Sequence, residues 1–331
     1  MLEEFKSSLD VHNKFTSEEI AREYLENYRW NGLPKCPRCS GTEYYKLKSK
    51  KQPYCCRKCR KNYSVRVGTI FDSSNVPLHK WLIAMWYLLN DNRSISSVQM
   101  AKLIQVTQTT AWHMNHRFRV MFSKGNNIEF TGVVQVDEVY IGGKKNKVSK
   151  KRKEKMEQGS GCVGKVPVVG IADTETGEIR YVVAKDGVNV EVVTDVLNEH
   201  VSKDAVLVTD ASPLYVNPGR EQYEHVALNH SKEEFGRDGY HTNNVEGSFK
   251  HFRDNLDCTF KGMVRVWHLQ KYADEYVYIK NTNKEKLRVL KAKNSVLVKN
   301  TILNPENLKR VLRYKELVKY SLNPRCLKKA G

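Results

Sequence analysis

Two Cys-x-x-Cys pairs, three successive helical patterns, and a change to strand-like periodicity near residue 131 together predict a multidomain chain. The order expected is an N-terminal zinc ribbon, a helical region resembling a helix-turn-helix, and an α/β core with a mixed sheet. The boundaries read as a helical segment over 1–32, a ribbon over 33–66, the helix-turn-helix-like region over 77–124, the core over 131–281 and a basic tail over 282–331. A length of 331 residues fits two or three domains, and a hydrophobic content of 40% can bury a core. The formal charge of +19 and a pI near 9.5 point to a polyanionic partner, most simply nucleic acid. No apolar run of about 18 residues and no signal-peptide pattern is visible, so a membrane is not expected and an intracellular location is.

In chain order, SEEIAREYLENYRW (17–30) reads as a helix capped by Ser17, with Ile20, Tyr24 and Tyr28 as its apolar face. The pairs Cys36/Cys39 and Cys56/Cys59 follow, with 16 residues between them. Two tight knuckles joined by a hairpin bring four thiolates together, the closed geometry of structural Zn2+. Cys55 is the spare neighbour, and Cys162, Cys258 and Cys326 are expected to be ordinary buried or half-buried thiols. The ribbon's many lysines and arginines suit either a solvated face or a DNA-facing one.

PLHKWLIAMWYLLN, SISSVQMAKLIQ and TTAWHMNHRFRVMF form the three helical patterns, the last two separated by the short break VTQ. That outline matches a helix-turn-helix, with Thr109, Thr110, His113 and Arg117 near the exposed start of a recognition helix and Trp112 packing. A plain helical connector would give a similar pattern.

Beyond residue 131, strands are expected at 132–142, 166–172 and 178–185, a helix at 189–201, a strand ending at Asp210, and another near 223–228. Between the first two strands lies GGKKNKVSKKRKEKMEQGSGCVGK. It is polar and basic, and reads as a mobile loop whose Lys144 and Lys145 can meet DNA phosphates. HTNNVEGSFKHFR then opens an amphipathic helix with Val245, Phe249 and Phe252 inward. Asn243 and Glu246 share one face of it, with Arg253 two turns on. Asp137 and Asp210 each end an apolar run. Together with Glu246 they form an oxygen-donor set suited to a hard divalent cation. Residues 264–281 form a further helix, and the tail is expected to be helical in part over 306–320. Histidines 225, 230 and 241 could be read as a metal set, although scattered histidines are usually structural.

The ordered set CPRC, CRKC, GTIFDSSNVPLHKW, VDEVYIGGKKNK, VTD, HTNNVEGSFKHFRDN and HLQKYADEY covers roughly residues 15–281. It resembles bacterial insertion-sequence transposases of the zinc-ribbon DDE type, whose eukaryotic relatives are the Merlin elements. The resemblance implies an RNase H-like core, and divalent-metal-dependent cleavage and strand transfer at the ends of a mobile element. It implies Asp137 and Asp210 as the first two acids, with Mg2+ or Mn2+ as the ion. The third position is Asn243 or Glu246, and a carboxylate is the better ligand for a hard cation. A basic residue that many members carry as lysine is here Arg253, which also neutralises phosphate but prefers bidentate geometry. The resemblance further implies element ends and target DNA as partners, at least a dimer in the active complex, and a bacterial cytoplasmic, nucleoid-associated setting. Loss of cleavage with retention of DNA binding, or cutting without joining, are the rival readings.

Overall fold

The structure is a computed structural model that describes residues 5, 7–49, 51–91, 93–125, 129–142, 164–229, 236, 237, 239–262 and 264–297, with backbone alone at 90, 124, 125 and 282–297. The chain divides into two compact units, one of residues 1–125 with 290–331 and one of residues 126–289.

The first unit opens with α1 (Ser8–Lys14), where Ser7 and Asp10 satisfy each other's backbone amides in a capping box. In α2 (Glu18–Trp30) the Ser17 side chain accepts from the Ile20 amide, as the sequence predicts. The buried face is one position away from the one expected. Ala21, Leu25 and Trp30 are inside, while Ile20 is 39% exposed. Trp30 fixes this rotation by setting its ring edge-on to Tyr54 and Tyr63. Those tyrosines belong to a three-stranded antiparallel sheet, β1 (Tyr44–Lys46), β2 (Tyr54–Cys56) and β3 (Asn62–Tyr63).

The irregular stretch after β3 is held by three arginines. Arg29 donates to the carbonyls of Val65 and Val67, Arg66 to those of Ser74 and Val76, and Arg117 to those of Ile70 and Asp72. Helices α3 (Leu78–Asn90), α4 (Ser97–Ile104) and α5 (Gln108–Gly125) follow. Pro77 occupies the N-cap of α3, just outside the helix. Ser96 caps α4, and left-handed Gln105 ends it, so the break expected at 106–108 falls at 105–107.

The second unit is a five-stranded mixed sheet with helices on both faces. Its elements are β4 (Val133–Gly142), β5 (Lys165–Asp173), β6 (Ile179–Val183), α6 (Val190–His200), β7 (Val206–Asp210), α7 (Pro213–Gln222), β8 (Glu224–Leu228), α8 (Asn243–Phe260) and α9 (Val266–Leu297). The strand order is β6-β5-β4-β7-β8. The pairs β6/β5 and β5/β4 are antiparallel, whereas β4/β7 and β7/β8 are parallel. The expected succession of elements is present, with one addition. No element is expected between Asp210 and residue 223, yet PLYVNPGREQ, with two prolines and a glycine, forms helix α7. Pro213 sits in the first turn behind a Ser212 cap, where its missing amide costs nothing, and only Pro218 is interior. Helix α9 also continues to Leu297, past the expected end at 281. The segment 306–320 and the loop carrying Lys144 and Lys145 lie outside the described residues.

One sheet face packs Val139, Val168 and Tyr181 against Val245, Phe249 and Phe252 of α8 and Leu269 and Tyr276 of α9. The other packs Val134, Val136, Ile171 and Leu207 against Val193, Val196 and Leu197 of α6 and Tyr215 of α7. Helix α9 also caps the sheet edge. Gln270 accepts from the Val183 amide and donates to the Tyr181 carbonyl, while Asn281 bonds both backbone groups of Ile179. These side chains occupy the groups through which an edge strand would otherwise recruit another strand.

Gly170 sets how closely α8 approaches. A Cβ there would lie 2.4 Å from the Phe249 ring and 3.1 Å from Val245. Gly170→Ala should therefore cost about 1–3 kcal/mol in denaturant unfolding, the usual penalty for overpacking. Shortening Phe249 to leucine in the same chain should recover part of that loss. An unchanged midpoint for Gly170→Ala alone would show that α8 is not seated against this strand.

Candidate active site and metal centre

The four ribbon cysteines converge as their spacing predicts. Each knuckle is closed by backbone bonds: the Ser40 amide donates to the Cys36 carbonyl, and the Arg60 amide to that of Cys56. Ser40 and Arg60, each directly after the second cysteine of its pair, take left-handed backbone at φ 58° and 57°. The sulfurs of Cys36 and Cys59 are 3.6 Å apart, those of Cys39 and Cys56 are 3.5 Å apart, and all four lie within 4.8 Å of one another. A tetrahedral zinc with Zn–S near 2.3 Å needs sulfurs about 3.8 Å apart, so the thiols fit that ion. Cys55 stays out of the cluster, as expected for the neighbour of Cys56 on a strand whose side chains alternate. Cys258 corrects the reading of the remaining thiols, since it is exposed; Cys162 and Cys326 lie outside the described residues. The ribbon's Lys46, Lys48, Lys51, Arg57, Lys58, Arg60 and Lys61 are all exposed.

On α5, Thr109 and His113 are exposed, and Thr110 bonds through its amide and hydroxyl to the Thr107 hydroxyl. Arg117 differs from the expectation of an exposed reader. It is half-buried, with its guanidinium committed to two carbonyls of the stretch after β3.

The acids meet at the second unit's sheet. Asp137 is in the middle of β4, opposite Gly170 of β5, and not at a strand end as its apolar run suggests. Asp210 does end β7. In the parallel β4/β7 ladder, Val133 pairs Val206, Val134 pairs Leu207 and Gln135 pairs Val208. The same offset carried two residues further sets Asp137 beside Asp210, with both side chains on the α8 face. Glu246, in the first turn of α8, accepts from the Thr242 hydroxyl at 2.6 Å. Asp137, Asp210 and Glu246 line one cleft of about 500 Å³ together with Thr242, Lys250, Arg253 and Asp254. Asn243 is exposed and is not among the residues lining that cleft. Among the described residues, only the ribbon thiols have three or more ligand atoms within 4.8 Å of one another; the carboxylates are set wider.

Burial, reinforced by the charges of Glu138, Asp210 and Glu246, raises the Asp137 carboxyl to about 7, against the lowering effect of the Glu138 amide that donates to it at 2.8 Å. Glu138 lines the same cleft, and its carboxylate accepts the hydroxyl of Tyr215 on α7. Burial raises its carboxyl too, with the Tyr215 bond opposing.

Three contributors are not evident from motif spacing. Lys250 lies one turn after Glu246 in the same cleft. Thr242 orients Glu246. Gln135, fully buried, accepts from the amides of Asn244 and Val245 and bonds His241 Nδ1 at 3.1 Å, which pins the start of α8 to β4. Its signal was present: a polar side chain at an inward position of VVQVDEV. His241 is thereby a structural residue, and His225 bonds the Thr209 hydroxyl.

Comparison with known proteins agrees with this architecture. Residues 129–281 match the ISXO2-like transposase domain, and residues 16–62 match the transposase zinc-ribbon domain. Over 180 residues the chain is 30% identical to an uncharacterized protein in transposable element ISH50 of Halobacterium salinarum, an alignment covering 52% of this chain and 60% of that protein. The chain thus resembles the zinc-ribbon insertion-sequence transposases, with a zinc-ribbon match followed in order by a transposase-domain match.

Two outcomes follow from the site. Purified protein should hold one zinc per chain by elemental analysis; Cys39→Ser or Cys59→Ser should lose it and Cys55→Ser should keep it, because only the four clustered thiols reach an ion. The second outcome is a pH dependence. The folded chain keeps a proton on Asp137 that the unfolded chain has lost, so the stability this gives is full below the usual value of 3.8 and disappears as pH rises to about 7. Metal-free wild type compared with Asp137→Asn should therefore lose melting temperature across that window. Parallel curves for the two proteins would show that Asp137 titrates normally.

Proposed function

We propose that the chain is a DNA transposase that binds the terminal inverted repeats of an insertion sequence and carries out divalent-metal-dependent strand cleavage and strand transfer. The observation that carries this reading is the juxtaposition of Asp137 and Asp210 on adjacent parallel strands with Glu246 on the helix packed over them, all lining one cleft. The strand order, three antiparallel strands followed by two parallel ones, supports an RNase H-like core.

The donor set is all oxygen, which suits Mg2+ or Mn2+. A pair of such ions, when bound, would activate the attacking water or 3′-hydroxyl and stabilise the leaving oxygen. Asp137 and Asp210 would hold one ion, and Glu246 would complete the second site. Glu246 is preferred to Asn243 because it lines the cleft and carries a full charge. Asn243, on the exposed first turn of α8, would orient substrate. Lys250 and Arg253 lie along the same helix, where their charges would hold the phosphate of the cut strand against the repulsion of the acids. Helices α4 and α5 would form a helix-turn-helix that reads the element ends through Thr109, Thr110 and His113. Lys144 and Lys145 would contribute backbone contacts. Arg117 would support that unit from within, given its bonds to the carbonyls of Ile70 and Asp72. Joining two ends calls for at least two copies on the DNA. Among the described residues no helix is long and apolar enough to cross a membrane, and the proposed setting is the bacterial cytoplasm, at the nucleoid.

The test is a cleavage assay on DNA carrying the element's own ends, with Mg2+ or Mn2+ and binding measured in parallel. Asp210→Ala and Glu246→Ala should each lower the cutting rate by at least about 100-fold, a loss of some 3 kcal/mol of transition-state stabilisation, with binding retained. Asn243→Ala should keep most of the activity. Loss in Asn243→Ala with survival of Glu246→Ala would reverse the assignment of the third ligand. Tight binding by wild type with no cutting under either metal would sink the enzymatic reading and favour a DNA-binding regulator.

A further inference from the structure

Glycine weakens the interior of a helix relative to alanine, because it loses more conformational freedom on folding. A helical glycine therefore usually answers to something close by. Gly219 of α7 does: a Cβ there would lie 2.8 Å from the His225 imidazole. Gly247, in the second turn of α8, does not. Its backbone is helical, its position is exposed, and an added Cβ would meet no atom within 4 Å. Neither its backbone conformation nor the packing of the described residues calls for glycine at this point. A bare stretch of helix backbone facing open space permits close approach by something outside the chain.

The groups around Gly247 suit a sugar-phosphate backbone. Glu246 precedes it directly and lines the acidic cleft, held by the Thr242 hydroxyl. Asn243, Gly247, Lys250 and Asp254 follow one another at four- and three-residue steps, so they form one stripe along the lip of that cleft. Val245, Phe249 and Phe252 bury the opposite side of the helix. The stripe offers a side-chain amide one turn before Gly247 and an ammonium one turn after it, both exposed, and such groups bond phosphate oxygens. Asp254, a further turn on, is unfavourable to a polyanion and confines the contact to the first two turns. Between Asn243 and Lys250 the missing Cβ leaves a shallow notch. A strand bound at Glu246 lies within one residue's rise of that notch, about 1.5 Å along the helix axis.

We propose that Gly247 is a positioning residue, whose bare backbone lets the DNA strand to be cut lie directly on the outer face of α8, between Asn243 and Lys250, with its phosphate at the acids. This rests on the reading of the chain as a DNA transposase and adds how the strand is seated. A side chain at 247 would hold the strand away from Asp137, Asp210 and Glu246 without touching any of them. Alanine, the better residue for the helix, is thus the worse one for the DNA.

The experiment compares the full zinc-loaded wild type with Gly247→Ala and Gly247→Gln. Both variants should melt above wild type, alanine by about 2–4 °C, because a better helix former replaces glycine at an exposed position. With Mg2+ and saturating end DNA, the cutting rate should fall by about tenfold in Gly247→Ala and further in Gly247→Gln, as misplacing a reacting group does. Cys258→Gln, at an exposed position about three turns further along α8, should cut as wild type does. Hydroxyl-radical footprints taken without Mg2+ or Mn2+ add a readout that needs no cleavage. Wild type should shield the sugars beside the cut position, and Gly247→Gln should lose that shielding while keeping its protection of the inner repeat. Melting below wild type would make Gly247 a packing residue and overturn the proposal. So would unchanged cutting and footprints in both variants, or an equal loss in Cys258→Gln. If wild type binds end DNA without cutting it, the enzymatic reading falls and the footprints still decide this one. Wild type that leaves the sugars at the element's end unshielded overturns it as well.

Discussion

The contact on which the rest of the acidic site depends is the one between Gln135 and the first turn of α8. A helix N-terminus carries amides with no partner inside the helix. Here two of them, from Asn244 and Val245, are satisfied by a single buried side-chain oxygen projecting from β4. The same residue's amide nitrogen bonds His241, so the chain is fixed on both sides of the point where the helix begins. Asp137 is two residues further along β4 on the same face, and Glu246 is one residue beyond the pinned amides. The separation between strand acid and helix acid is therefore set by one short, dry connection and not by the long, irregular approach from β8. Breaking it would leave the buried Val245 amide unsatisfied as well as releasing the helix.

The sheet supplies the remaining constraints. Its parallel β4/β7 pairing determines that Asp137 and Asp210 stand side by side, and the absence of a side chain at Gly170 lets Phe249 bring α8 down onto the strands. Burying carboxylates together in this way is unfavourable for the folded chain: burial, and after it the neighbouring charges, raises the Asp137 carboxyl. A cation-binding site has that property by construction: the repulsion that weakens the fold is the attraction that holds the ion. Glu138 adds a second raised carboxyl to the same cleft, held by the buried hydroxyl of Tyr215.

The first unit is organised differently. It has few long strands, and its irregular stretch after β3 is stabilised by arginines that donate to backbone carbonyls, Arg29 from α2, Arg117 from α5 and Arg66 from within the stretch. Such a stretch would otherwise bury acceptors without donors. Part of the chain's positive charge is thereby structural. Composition alone counts Arg117 with the groups available to a polyanion, whereas its guanidinium faces inward.

What the sequence by itself determined is whatever depends on short spacing. The two Cys-x-x-Cys pairs specify the thiol cluster because each knuckle closes within five residues. The capped starts of α2 and α4 follow from local side-chain to backbone bonds, and the placement of Val245, Phe249 and Phe252 inside and Glu246 outside follows from helical periodicity. Only the tertiary structure decided the features that depend on register and packing between distant segments. The apolar run around Asp137 does not reveal that this residue lies mid-strand beside Asp210, since neighbouring strands are chosen by the whole sheet. Helix α7 is hidden by prolines whose positions are harmless only in its particular frame. The role of Gln135 requires knowing which helix lies above it, 109 residues later. Spacing fixes chemistry within a turn or a knuckle, while the meeting of separate elements is settled by the core they share.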